Sequence, residues 1–130
     1  MKRDMDLIRK ILFKIEEVFP AGQQMIHGIS IEGYDFATIA DHCQLLYEDD
    51  LINLYSPTRA GIGNSVVFYS VGNLTSKGYD LLDEIREDTT WNKTKDIVKK
   101  KGLPMVLGVV KDIASTITQA ATQAAIKQIT

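Results

Sequence analysis

The stretch YDFATIADHCQLLYEDDLINLY, residues 34–55, decides the fold. Asp35 is a good helix-capping residue. At ~100° per residue, Phe36, Ile39, Ala40, Cys43, Leu46 and Tyr47 fall on one face, which predicts a helix with a buried apolar side. Thr38, Asp41, Glu48 and Asp49 lie opposite, with Leu45 among them. Beyond the helix, LINLYS (51–56) and SVVFYSV (65–71) are rich in β-branched and aromatic residues and flank PTRAGIGN (57–64). That pattern predicts a β-hairpin with a Gly-rich tip. A helix followed by such a hairpin has the outline of a reading helix and its wing.

Upstream, Ile8, Ile11, Leu12, Ile15 and Phe19 recur at three- and four-residue steps. They predict a first helix capped by Asp4 or Asp6 and stopped by Pro20–Gly22. In MIHGISIEGY (25–34), Ile29 and Ile31 alternate with Ser30 and Glu32, which predicts a short strand. The interval before residue 35 is too short for a full helix, so the first helix of a helix–turn–helix is shortened or missing.

Downstream, LTSKGYDLLDEIRED (74–88) predicts a helix capped by Thr75, with Tyr79, Leu82 and Ile85 inward. TTWNKTKDIVKKKG (89–102) predicts another, with Trp91, Thr94 and Val98 on one side. Lys99–Lys101 suit its last turn, and Gly102 and Pro104 end it. From Met105 to Ile129 the chain is helical in pattern. Val106, Val110, Ile113, Ile117, Ala120 and Ala124 follow a 4-3-4-3-4 spacing, a seam for a partner helix over ~35 Å. The expected class is α+β and mostly helical: a winged helix–turn–helix-like core with a β-hairpin wing, added C-terminal helices and a long terminal helix. Residues 1–102 are expected to form the winged-helix-like domain, and residues 103–130 an amphipathic arm for packing or dimerisation.

The quoted segments MKRDMDLIRKIL, HCQLLYEDDLI and LTSKGYDLLDEIREDTTWNKTK, with the helical tail after them, resemble a family of short bacterial and prophage proteins of unknown function. The resemblance covers nearly the whole chain. It implies a winged-helix-like core, a bacterial or phage cytoplasmic setting and no assigned activity. This sequence departs from the family pattern at Asp50, where Gly is expected before Leu51–Ile52. Asp tolerates the left-handed conformation that Gly favours, at modest cost.

Charge is the most informative feature. The net charge is −2, but residues 15–58 hold eight carboxylates and no Lys or Arg, while residues 2–14 and 59–130 each carry +3. Duplex readers gain affinity by replacing counterions with Lys and Arg. A helix bearing Asp41, Glu48 and Asp49 would instead meet phosphates with like charge, at about 1 kcal/mol per contact in a water-like dielectric. DNA reading would have to rely on Thr38 and Gln44 for bases and on Lys2, Arg3, Arg59 and Lys77 for phosphates. The favoured expectation is a protein partner met by Thr38, Asp41, Leu45, Glu48 and Asp49, an apolar anchor inside a charged rim.

Catalysis is not expected. The only histidines are His27 and His42, and the one cysteine, Cys43, is adjacent to His42, so the two side chains diverge on a helix. GIGN (61–64) lacks the Lys-Ser/Thr ending of a phosphate loop. No spacing suggests a metal or a cofactor, and a single cysteine suits a reducing cytosol. The basic run KTKDIVKKK (93–101) reads as a solvated helix face rather than a membrane or phosphate patch. The longest apolar run, MVLGVV (105–110), is too short to span a bilayer. The tail seam is expected to pack on the first helix or on its own copy in a homodimer.

Overall fold

Helix α1 (Met5–Val18) begins where the Asp4 carboxylate accepts the Leu7 N–H at 3.1 Å. Its stripe is broader than the sequence predicts: Met5 and Leu7 are buried along with Ile8, Ile11, Leu12 and Ile15. The Phe19 N–H reaches back to the Ile15 carbonyl, and Pro20, which cannot extend the helical ladder, follows. In the computed structural model, which describes residues 1–130, the chain forms two compact units, residues 1–79 and 80–130.

The first unit runs α1, β1 (Ile26–His27), α2 (Phe36–Glu48), β2 (Tyr55–Ala60), β3 (Ser65–Val71) and the start of α3 (Ser76–Ile85). The three strands form an antiparallel sheet in the order β1-β3-β2. No helix intervenes between β1 and α2, as the short interval predicts. The result is a winged-helix-like arrangement in which α1 and β3 both pack against α2.

Two strand expectations are corrected. The short strand expected within residues 25–34 is there as Ile26–His27, but it leaves out the Ile29–Glu32 alternation; pairing stops at His27, and Gly28 turns the chain at φ +75°. Ile29 needs no strand partner because the Tyr69 hydroxyl serves both of its backbone groups, accepting its N–H at 3.0 Å and donating to its carbonyl at 3.2 Å. The first wing strand starts at Tyr55 rather than Leu51, and it includes Pro57. Pro fits there because β2 is an edge strand with one side free of ladder bonds.

Between α2 and the wing, Asp50 adopts φ +61°, the left-handed conformation that ends the helix. The Leu51 N–H then bonds the Leu46 carbonyl at 2.9 Å, and the Thr75 hydroxyl donates to the Asp50 carbonyl. The same Thr75 oxygen accepts the Gly78 N–H at 3.0 Å, which makes Thr75 the cap of α3. Gly78 is required by close approach: a Cβ there would lie 2.2 Å from the Leu51 carbonyl oxygen. On α3, Leu81, Leu82 and Ile85 are buried, but Tyr79, expected inward, is exposed and directs its hydroxyl at the Asn73 side chain.

The second unit holds the rest of α3, α4 (Asp88–Lys100) and α5 (Leu107–Ile129). Trp91, Thr94 and Val98 are the buried face of α4, as the spacing predicts. Thr94 satisfies its hydroxyl by donating to the Thr90 carbonyl at 2.8 Å. α4 and α5 pack on each other, and the Ser115 hydroxyl donates to the Glu84 carboxylate at 2.8 Å. On α5 only Val110 and Ala114 are buried, and every residue from Thr118 onward is exposed.

Candidate functional site

The buried side of α2 is Ile39, Ala40, His42, Cys43 and Leu46. Phe36 and Tyr47, expected in that face, are 45% and 47% exposed. By angle, near 0° and 20°, they fall between the buried Cys43 and Ala40; they stand at the two ends of the helix, in its first and last turns, where they stay exposed. Phe36 still packs its ring at a tilt against Tyr69, centroid to centroid 5.2 Å.

His42 belongs to that core. Its Nε2 accepts the Asp4 N–H at 2.9 Å, so the ring proton sits on Nδ1 and is donated to the Thr38 carbonyl at 2.8 Å. The imidazole thus ties α2 to the start of α1, and both its nitrogens are occupied. Cys43 is fully buried, and burial pushes its thiol up to about 12, far from a reactive thiolate near neutral pH. The two residues that chemistry would first recruit are therefore committed to packing. No group of three or more His, Cys, Asp or Glu is gathered as metal ligands would be. No helix is long and apolar enough to cross a membrane.

The outward side of α2 is acidic and partly self-satisfied. Asp35 accepts the Thr38 N–H at 2.8 Å, and its contacts with Thr38 hold its carboxyl below the ordinary range. Asp41 and Leu45 are half-buried; Glu48 and Asp49 are exposed. Gln44, a candidate base reader, donates to the Glu48 carboxylate at 3.1 Å.

Between α2 and the wing lies an open cleft of about 200 Å³ lined by Ala37, Asp41, Arg59 and Gly63–Val66. Arg59, the wing's only cation, donates Nη1 to the Asn64 carbonyl at 3.2 Å and braces the turn in which Asn64 holds φ +49°. The Tyr55 hydroxyl is buried without a hydrogen-bond partner, and burial raises its ionisation above the ordinary phenol value. The remaining phosphate candidates, Lys2, Arg3 and Lys77, are exposed, the first two ahead of α1 and the third on α3.

Tyr69 is the residue that sequence reasoning passed over. It is fully buried, packs at a tilt against the rings of Phe36 and Tyr55 (6.1 Å to the latter), and closes the loop at Ile29. Burial pushes its phenol up to about 12. The alternation in SVVFYSV, which puts Tyr69 and Val71 on one side, was the available signal.

The seam residues of the tail meet different surroundings. Val110 is buried, Val106, Ile113 and Ile117 are half-buried, and Ala120 and Ala124 are exposed. Beside the seam, a groove of about 270 Å³ is lined by Ile97 of α4 and by Asp112, Ile113, Thr116 and Ile117 of α5.

Residues 2–104 match the family described as hypothetical protein DUF2513. The chain is also similar to an uncharacterized protein of Haemophilus influenzae (strain ATCC 51907 / DSM 11121 / KW20 / Rd), 36% identical over 118 residues, which cover 90% of this chain and 95% of that protein. No solved structure matches the chain significantly. Both matches span the winged-helix-like core with its acidic helix, and this chain belongs to the DUF2513 family of hypothetical proteins.

Proposed function

We propose that this is a non-catalytic accessory protein of the bacterial or phage cytoplasm. It acts by contact with another protein through the outward side of α2, and its copies pair through α5. The observation that carries the first part is electrostatic: Asp41, Glu48 and Asp49 line a face without a cation, and the only cation of the adjoining wing is engaged with its own turn. Leu45, half-buried among Thr38, Asp41 and Glu48, supplies the apolar anchor within that rim. The absence of catalysis is supported by the burial of Cys43 and the two occupied nitrogens of His42.

The competing reading is a winged-helix DNA regulator using Lys2, Arg3, Arg59 and Lys77 on phosphates and Thr38 and Gln44 on bases. Titration of mixed-sequence duplex DNA at low salt and at ~200 mM separates the two. A protein-contact function gives no appreciable binding at either salt. Tight binding at low salt that falls steeply as salt rises would establish the regulator instead.

A further inference from the structure

The last half of α5 is a helix with nothing on it. Residues 118–130 are all exposed, yet helical through Ile129. A bare segment of three to four turns is marginal in water unless an apolar side is covered. Its apolar residues lie on more than one side, Ala121, Ala125, Ile126 and Ile129 among them; the strip of Ala120 and Ala124 continues the line of Ile113 and Ile117 without a break in spacing. Its one charge is Lys127.

We propose that this half of α5 seats on a second copy of the chain, antiparallel, in the partner's groove between α4 and α5. This rests on the self-association reading above and specifies its geometry. Three features select the same register. Pairing Ile113 with the second copy's Ala124 and Ile117 with its Ala120 sets each large seam residue against a small one, which lets the helices approach closely. That register also overlaps the two helices end to end, Leu107 level with Thr130, over ~35 Å. It further brings Lys127 within about one turn of the second copy's Asp112, a groove-lining carboxylate, on the same flank of the pair. The antiparallel sense also opposes the two helix dipoles favourably. The total surface covered is on the order of 1,000 Å², at the lower end for a specific interface, so association should depend on concentration in the micromolar range.

Sedimentation of the full chain tests this together with disulfide trapping by dissolved oxygen. The wild type should sediment as a dimer at tens of micromolar. Ala120→Glu with Ala124→Glu should give a monomer whose thermal unfolding matches that of the wild type diluted to its monomeric range, since both positions are exposed within the chain. Near the two-fold axis, Ala120→Cys should cross-link to itself, while Ala124→Cys should not. A mixture of Ala124→Cys and Ile113→Cys should cross-link to each other. A wild type that stays monomeric overturns both self-association and this pairing. A dimer that survives the double Glu variant, or self-cross-linking of Ala124→Cys, overturns the pairing and leaves self-association standing through another surface.

Discussion

α2 and α5 are both amphipathic helices, but they spend their apolar sides differently. In α2 the buried residues run from Ile39 to Leu46 and include a histidine with both nitrogens bonded. In α5 burial ends at Ala114, with fifteen residues of helix still to come before its end at Ile129. α2 is therefore a fixed support that presents its charged side, while α5 keeps apolar surface in reserve. A helix locked on its inner side can hold an acidic pattern in place. A helix left open is where a further copy can add stability.

The largest contrast should appear in reactivity. With its thiol pushed up to about 12, Cys43 should react with a thiol reagent at pH 8 roughly a thousand-fold more slowly in the folded protein than in denaturant. Equal rates in the two states would mean that the core side of α2 opens readily. Next comes packing. Leu46→Ala, at a position 1% exposed, should cost about 2–5 kcal/mol in urea unfolding. Ile126→Ala, in the bare half of α5 and 51% exposed, should cost under ~0.5 kcal/mol at dilute concentration. Comparable losses at both would erase the distinction between the helices.

His42→Ala should destabilise by about 2–3 kcal/mol, because the Asp4 N–H loses its acceptor and the ring leaves a void. A loss no larger than that of a surface substitution would show that α1 does not depend on the tether. One modest effect has the opposite sign. Asp50→Gly should stabilise by roughly 0.5–1 kcal/mol, since φ +61° is costly for Asp and the Thr75 bond is to the Asp50 backbone carbonyl, which Gly retains.

Much of the architecture could be read from the sequence, and the reasons are local. Asp4, Asp35 and Thr75 act as helix caps because their side chains bond the orphan N–H groups three residues on. The run SVVFYSV forms β3 over its full length, and the Trp91–Thr94–Val98 spacing gives the buried side of α4. What failed depended on tertiary partners. The alternation at Ile29–Glu32 looked like a strand, but a distant tyrosine hydroxyl replaced the ladder. Phe36 and Tyr47 fit the apolar side by angle, yet they stand in the first and last turns of α2, where burial of that side gives out. For the candidate site, the acidic side of α2 could be read residue by residue. The engagement of Arg59 with Asn64 could not, because it depends on the conformation of the hairpin tip.

In the proposed function, the carboxylates of α2 keep this winged-helix-like scaffold off duplex DNA. Reversing them tests it most directly: fluorescence anisotropy with mixed-sequence duplex at low salt, comparing wild type with the triple variant Asp41→Lys, Glu48→Lys, Asp49→Lys. The wild type should not bind, and the variant should bind in a salt-sensitive way. Wild-type binding that the reversal weakens would contradict it.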